Sequence, residues 1–328
     1  TGKKFIQITK INPLYGMIDT MGNEILPFDY KSVKDVSEGY AAVNVNGKWG
    51  YIDSTYSLII EPGYKSVTSF SGGLAAVKKE KHWEFINRSG KNAFDELYYQ
   101  VGSFNEGLAP VKKGRYYGYI NRDGSYDIER RFRRAFDFKH GIAIVREKNG
   151  YGVINKQGEL VVPARFDKIE HSNVEHIVKA RKNGKYCLFD TKKQKRITPK
   201  FHRIYENSEG LFMVRKNRKY GFVDENGEKV IKRCYRRAYN FKDGLAAVKS
   251  ENGWGYMNRS EQFVIPDIYR QAVSFSEGMA FVRPMKQFFC INQNGDSLFV
   301  LPEDAEVISG FSEGFAVIRT IEGIYFVN

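Results

Sequence analysis

Short strings of alternating apolar and polar residues recur along the chain, separated by turns rich in Gly, Asn and Asp. Segments such as GLAAVKK (73–79) alternate as a strand with one buried face does. A polar turn and a second apolar segment follow, as in WGYID (49–53). No stretch keeps the period of a helix over ten residues. The pattern therefore predicts an all-β chain of short strands without a long helix.

The second apolar segment recurs at a nearly constant spacing. Successive copies are 34 to 36 residues apart, and their first positions are Tyr15, Trp49, Trp83, Tyr117, Tyr151, Tyr186, Tyr220, Trp254, Phe288 and Ile324. Six of these residues are followed by Gly, including Gly50 and Gly255, and every copy has Asp or Asn four residues on, as at Asp53. Such spacing predicts tandem repeats of about 34 residues.

Each repeat is predicted to form a three-stranded meander and a connector. The Asp or Asn column is expected to accept backbone hydrogen bonds in a turn. A Gly that often follows three residues later suits a positive φ. The pairing of Trp49 with Gly50 is interpreted as packing, because a missing side chain lets another residue or backbone approach closely.

A single meander cannot bury its apolar faces alone, so the repeats are expected to stack. Ten copies exceed the usual four to eight blades of a propeller, which favours an open superhelical array. Two five-bladed β-propellers are the alternative. The segment EHSNVEH (170–176) departs from the pattern. We therefore predict repeats 1–5 in residues 1–169, an irregular break at 170–176, and repeats 5–10 in residues 177–328.

The motifs GKWGYID (47–53), NGWGYMN (252–258) and GLAAVKK (73–79) resemble the bacterial WG repeats, also called KWG repeats. The resemblance spans nearly the whole chain, from about Phe5 to Asn328. Four copies have another residue in the Gly column and are expected to pack differently: Glu84, Cys187, Phe289 and Tyr325. The resemblance implies a binding or scaffolding module and brings no catalytic residues.

Positive charge is in excess, with 52 Lys and Arg against 38 Asp and Glu, a formal net charge of +14. This balance favours anionic partners. One basic column follows the first strand of nine copies: Lys10, Lys78, Lys112, Arg146, Arg181, Arg215, Lys249, Arg283 and Arg319. We interpret it as structural, with each cation pairing with a carboxylate or a carbonyl.

A second basic column lies sixteen and seventeen residues after the aromatic, within ERRFRRAF (129–136) and IKRCYRRAY (231–239). Its planar guanidinium groups suit carboxylates or phosphates. The candidate anion- or partner-binding residues, expected to share one edge of the array, are Arg130, Arg133, Arg134, Lys168, Arg203, Arg233, Arg236, Arg237 and Arg270. Three neighbouring rings are candidates either for stacking on a ligand or for filling the core: Tyr99, Tyr235 and Tyr269. The residues interpreted as structural are Trp49, Gly50, Asp53, Trp83, Trp254 and Gly255.

Catalytic signatures are not found: the chain has no GxSxG, P-loop or HExxH motif, and its five His and three Cys residues form no metal-binding pattern. We therefore predict no enzyme, metal or cofactor. The first hypothesis is a scaffold that binds a protein or peptide, and the alternatives are a nucleic acid or other polyanion, then a carbohydrate or the cell envelope. Since no signal peptide or apolar run of membrane-spanning length is seen, the cytoplasm is favoured, with export after processing as the alternative.

Overall fold

A computed structural model describes residues 14–328, so the predicted first strand FIQITK (5–10), with Lys10, lies outside the described residues. All the regular elements of the described part are β-strands, and they form ten small sheets. The chain divides into two compact units, of which the first ends at Arg165 and the second begins at Phe166. This confirms the prediction of an all-β repeat chain without a long helix.

The strands of the first unit are grouped by sheet. They are β1 (Tyr15–Ile18) and β2 (Glu24–Tyr30); β3 (Ser32–Val33), β4 (Ala41–Val45), β5 (Lys48–Ile52) and β6 (Leu58–Tyr64); β7 (Ser66–Val67), β8 (Leu74–Lys78) and β9 (Trp83–Asn87); β10 (Gln100–Val101), β11 (Ala109–Lys113), β12 (Tyr116–Ile120) and β13 (Tyr126–Phe132); and β14 (Arg134–Ala135), β15 (Ile142–Glu147), β16 (Gly150–Asn155) and β17 (Leu160–Phe166), whose last residue begins the second unit.

The second unit repeats this organisation. Its strands are β18 (Lys168–His171), β19 (Ile177–Lys182), β20 (Lys185–Asp190) and β21 (Lys195–Arg196); β22 (Arg203–Ser208), β23 (Leu211–Lys216), β24 (Lys219–Asp224) and β25 (Lys229–Tyr235); β26 (Arg237–Ala238), β27 (Ala246–Lys249), β28 (Trp254–Met257) and β29 (Phe263–Tyr269); β30 (Gln271–Ala272), β31 (Met279–Arg283), β32 (Phe289–Asn292) and β33 (Ser297–Val300); and β34 (Glu306–Val307), β35 (Ala316–Thr320) and β36 (Gly323–Val327).

The predicted connector is itself a strand of the following sheet. In the sheet β3-β4-β5-β6, the strands are neighbours in chain order, and the two-residue strand β3 lies at the edge. Only Lys31 separates β3 from the last strand of the preceding sheet, β2. The three-stranded meander is thus confirmed, and most sheets gain a short fourth strand that the sequence pattern does not reveal. Each sheet is open and has two edges.

Apolar layers fill the space between successive sheets of each unit. Ala75 and Val77 pack in the layer shared with the preceding sheet, whereas Ala76 packs in the layer shared with the following one. Strands such as β8 are therefore buried on both faces, and the expectation of a half-buried strand is wrong. The reason is that a neighbouring sheet covers each face. Strands covered on both faces usually have a continuous apolar sequence.

A tyrosine two positions after the aromatic column ties one repeat to the next. The Tyr51 ring is fully buried, and its hydroxyl donates to the carbonyl of Thr68 at 2.7 Å. The same bond, seventeen residues along the chain, joins Tyr119 to Phe136 and Tyr256 to Val273. Each buried hydroxyl thus has the partner that its burial requires.

The glycine column lies against the third strand of its sheet. Trp49 pairs with Tyr64 and Tyr51 pairs with Ile60, so extra residues of β6 bulge opposite Gly50. A Cβ at position 50 would lie 2.4 Å from the Ile60 carbonyl oxygen, closer than real contacts allow. The corresponding distances from an added Cβ to the facing carbonyl oxygen are 2.5 to 2.8 Å at the other five glycines of this column: Gly16, Gly118, Gly152, Gly221 and Gly255. The close backbone approach leaves room only for Gly.

The Asp and Asn column closes a turn between the second and third strands. Asp53 Oδ1 accepts the amides of Thr55 and Ser57 at 2.8 and 3.1 Å. Asn121 and Asn292 accept the equivalent pairs of amides in their own repeats. These bonds are those of the predicted turn, in which a side chain replaces a backbone acceptor.

The segment 170–176 differs locally from the other repeats. Strand β18 is four residues long, and the Ser172 hydroxyl donates to the carbonyl of Ile177 at 2.8 Å. Asn173 and Asn207 exchange two hydrogen bonds, each between a side chain and a backbone group, across adjacent repeats. The assignment of residues 1–169 and 177–328 as two halves of the array stays a prediction.

Candidate functional site

The strand register places the two basic columns side by side. Residues of the second column begin the short edge strands, and residues of the first column lie directly opposite them. The pairs in which both residues are basic are Arg134 with Arg146, Lys168 with Arg181, Arg203 with Arg215, and Arg237 with Lys249. Like charges at directly opposite positions destabilise a sheet, so each pair places two cations where a ring or an anion can offset their repulsion. We call each pair, with the aromatic residue beside it, a basic row.

The aromatic column completes each row on the next strand. Arg146 lies 5.5 Å from the Tyr151 ring centroid, and Arg215 lies 5.9 Å from that of Tyr220. The same arrangement occurs at Lys78 and Trp83, Lys112 and Tyr117, Arg181 and Tyr186, and Arg283 and Phe288. Most of the first basic column therefore lies over rings, which corrects the expected pairing with carboxylates or carbonyls for those residues, whereas Arg283 also donates to the Lys286 carbonyl and Arg319 pairs with Glu306 as expected. The ring contacts contribute roughly 0.5–1 kcal/mol each at exposed sites.

The candidate residues of the second column are all exposed but differ in their partners. Lys168 pairs with Glu170 at 2.6 Å, and Arg236 pairs with Glu251 through both arms of its guanidinium. Arg130 donates to the Lys113 carbonyl and lies over the Tyr126 ring, Arg233 lies over the Phe201 ring, and Arg203 bonds Tyr205. Among the nine candidates, all of them within residues 14–328, four have guanidinium groups with no hydrogen-bond, ion-pair or ring partner: Arg133, Arg134, Arg237 and Arg270.

A pocket of about 400 Å³ lies beside the row of Arg237 in the second unit. The Tyr239 ring stacks on Trp254, with centroids 5.3 Å apart and planes 18° from parallel. Tyr205 donates a long hydrogen bond of 3.5 Å to Tyr220, which lowers the pKa of Tyr220, while burial raises the pKa of Tyr205. The pocket thus combines one unpaired guanidinium with several rings, a composition common in binding sites for side chains.

Eight stretches of the chain match the family model of a WG containing repeat: residues 15–49, 49–83, 85–116, 117–151, 151–186, 188–220, 220–253 and 254–283. The chain belongs to the WG-repeat family. None of the curated proteins compared with it matches.

Several solved structures are similar to this WG-repeat chain at about 10% identity. One is a eukaryotic initiation factor, with 10% identity over 92% of this chain and 96% of that chain, and a TM-score of 0.47. Another is Hsv2 of Kluyveromyces lactis, with 9% identity over 88% and 94% and a TM-score of 0.38. A third is AztD of Citrobacter koseri, with 10% identity over 90% and 93% and a TM-score of 0.34.

The three Trp residues of the WG repeats are buried to different degrees. Trp254 is only 5% exposed, whereas Trp49 and Trp83 are half-buried and pack beside the apolar layers. Lys34 lies 5.3 Å from the Trp49 ring centroid. All three rings therefore contribute to packing between WG repeats, and parts of two of them also face solvent.

The stacking candidates divide between surface and core. Tyr99 is exposed and lies 5.1 Å from the His82 ring. Tyr235 is buried and belongs to an apolar layer, and Tyr269 is half-buried against the next layer. Tyr235 therefore fills the core, Tyr99 is exposed, and a stacking role for Tyr99 stays a prediction.

Groups suited to catalysis or metal binding are sparse in the described WG repeats. No group of three His, Cys, Asp or Glu residues able to hold a metal occurs in residues 14–328. Cys187 and Cys290 are buried, and burial raises the pKa of Cys290 to about 11, which disfavours the reactive thiolate. No helix in the described part is long and apolar enough to cross a membrane.

Proposed function

We propose that this WG-repeat chain is a non-catalytic scaffold that binds an acidic segment of a protein or peptide partner. The observation that carries the proposal is the exposed Arg237 guanidinium, which lacks a protein partner and lies beside an aromatic pocket. A guanidinium fork matches a carboxylate in geometry, and rings supply contact area for the flanking side chains. Arg134, in the equivalent position of the first unit, gives the scaffold a second place to engage such a segment.

A nucleic acid is the second candidate, because cations backed by aromatic rings also suit phosphates and bases. The distribution of charge argues for the peptide. In three sheets the edge position of the row is Ser32, Ser66 or Gln100, so these sheets have no cation from the second basic column there. Ion pairs already engage Lys168 and Arg236. A phosphate backbone requires closely spaced cations along its length, whereas a peptide needs only a few fixed contacts.

Binding of a Glu-rich synthetic peptide, its Gln-matched version and a single-stranded oligothymidylate tests the proposal. We expect the Glu peptide to bind, and Arg237→Gln to weaken it about tenfold or more, since a charged hydrogen bond contributes about 1.5–3 kcal/mol. Arg236→Gln is the matched control, because Glu251 already neutralises that neighbouring cation. It should change the affinity little.

A salt titration separates the two candidates. Binding of an oligonucleotide through phosphates weakens steeply and linearly in log–log form as salt rises. Tight oligothymidylate binding with a steep slope, together with weak peptide binding, would replace the peptide proposal with the nucleic-acid one. Equal binding of the Glu and Gln peptides would remove the proposed role of the arginines.

A further inference from the structure

A series of carboxylates links the tight turns of successive repeats. Each turn connects the short edge strand to the first hairpin strand, and Glu38 and Gly39 occupy its centre with φ values of 53° and 83°. Glu38 accepts the amides of Gly72 and Gly73, in the next turn, at 2.6 and 2.9 Å. The Arg88 guanidinium, fifty residues along the chain, completes the set at 3.0 Å. Two amides and one cation thus enclose one carboxylate.

A carboxylate that contacts an amide of the next turn and a cation recurs in both units. Glu106 accepts the Gly141 amide at 2.9 Å and pairs with Lys156 at 3.3 Å. Glu209 accepts the Gly244 amide at 3.2 Å, and Arg259 lies 3.8 Å from it. Carboxylates also bind the following turn at Asp243 and Glu277. The geometry is therefore a property of the repeat and is built to hold a carboxylate.

Gly72 occupies the repeat position that Glu38 and Glu106 occupy in the repeats before and after it. A carboxylate at position 72 would bind the turn that contains the amides of Glu106 and Gly107. Neither amide donates to an acceptor among residues 14–328. Arg122 lies fifty residues after Gly72 and has no ion pair or hydrogen-bonded partner within the same part of the chain. The two amides and the cation of the enclosure are present, but its anion is missing.

The Arg122 guanidinium occupies the space of the missing side chain. A Cβ at position 72 would lie 2.8 Å from one of its terminal nitrogens and 2.9 Å from Nε. The group borders a pocket of about 510 Å³ that also contains Arg88, already engaged by Glu38. Among the described residues that line this pocket, Arg122 is therefore the cation without a partner, and its guanidinium lies at the end of a flexible side chain that can turn toward a ligand.

We propose that this gap is a binding site for a carboxylate supplied by a ligand. The Glu106 and Gly107 amides and the Arg122 guanidinium hold it, as the equivalent groups hold Glu38 one repeat earlier. A carboxylate fits better than a larger anion, because two neighbouring amides and one planar fork match its two oxygens. The site is separate from the basic rows, so it does not depend on the function proposed for them.

Nitrogen–proton NMR spectra of the full chain test the site, with the amides of Glu106 and Gly107 as reporters. The probes are acetate, a Gly-Glu-Gly peptide blocked at both ends, and its Gln counterpart, each titrated against a chloride control. We expect saturable shifts of both reporters with the Glu peptide and none with the Gln peptide. An equal response to acetate identifies a free carboxylate as sufficient, and its absence identifies an acidic residue of a chain as the source.

Three variants make the result decisive. Arg122→Gln should weaken binding about tenfold or more, since a charge-assisted bond is lost. Gly72→Glu should abolish it, because the new side chain supplies the carboxylate itself, and the φ of 65° at Gly72 is close to the 53° that Glu38 adopts. Glu209→Gly should create a second site that shifts the Gly244 amide. No saturable shift in the natural chain, unchanged binding by Arg122→Gln, or no new site in Glu209→Gly would overturn the proposal.

Discussion

Two adjacent sheets have Trp at the same position of the repeat and then differ at the next residue. In the sheet β3-β4-β5-β6, Trp49 is followed by Gly50, whereas in the sheet β7-β8-β9, Trp83 is followed by Glu84. Both Trp rings are half-buried, and a lysine lies over each. The aromatic environment is therefore similar in the two sheets, and it does not explain why only one of them needs Gly.

The third strand accounts for the difference. Strand β6 is continuous from Leu58 to Tyr64, and its backbone bulges against Gly50. In the other sheet the chain pairs at Asn92 and again at Tyr98 but forms no strand between them. Glu84 fits there, 7% exposed, with Lys79 at 2.7 Å from its carboxylate. The Gly is thus required by the backbone of the neighbouring third strand rather than by the aromatic residue that precedes it.

The sheet β30-β31-β32-β33 supports this conclusion from the opposite direction. Phe289 occupies the Gly column there and pairs directly with Val300. The strand β33 has no bulge opposite Phe289, so a large side chain is accepted. The expectation that the copies without Gly pack differently agrees with the registers of these sheets.

The largest effect is expected from the buried ring. Trp254→Ala should lower the free energy of unfolding by about 3–5 kcal/mol, the range for a large core aromatic. Trp49→Ala and Trp83→Ala should each cost less, about 2 kcal/mol, because part of each ring is already in solvent. Chemical denaturation measures all three. If Trp83→Ala were neutral while Trp49→Ala was costly, the two rings would not share one environment, and the comparison would fail.

A substitution at the glycine itself is the sharpest test. Gly50→Ala should cost about 2–3 kcal/mol, because the Cβ meets the Ile60 carbonyl and the strand must shift. Gly63→Ala is the matched control in the same sheet: the nearest atom lies 3.9 Å from the added Cβ and φ is not positive there. It should be neutral or stabilise by about 0.4–1 kcal/mol through the unfolded state. Similar costs for both variants would show that the bulge does not impose the Gly.

Much of the fold could be predicted because it repeats. The 34-residue spacing of the aromatics located the hairpins, and the Asp53 column located the turn after them. The strand formed by the connector was missed, since two residues carry no periodicity. The role of the buried Tyr51 was not predicted, because Tyr stands in this column in only three copies: Tyr51, Tyr119 and Tyr256.

The candidate site was less predictable, because it depends on which strands are neighbours. The sequence singled out Arg134 and Arg237 but did not place Arg146 and Lys249 opposite them. Their separation of twelve residues, which recurs in most of the sheets, was a usable signal, since it fits one repeated register. The gap at Gly72 could not be recognised from the sequence, because the role of Glu38 depends on amides in the next repeat.

The turns of the same two sheets give the smallest expected effect. Burial raises the pKa of Glu38, but hydrogen bonds from Arg88 and from the Gly73 and Gly72 amides lower it more, so it lies below its usual value. A depressed pKa in the folded state contributes stability above the pKa of the unfolded chain, near 4.3, and that contribution is lost as the pH falls through the folded value. The melting temperatures of the natural chain and Glu38→Gln should therefore differ at neutral pH and converge below about pH 4. A difference that did not change with pH would mean that the Glu38 carboxylate acts in the turn through its shape rather than its charge.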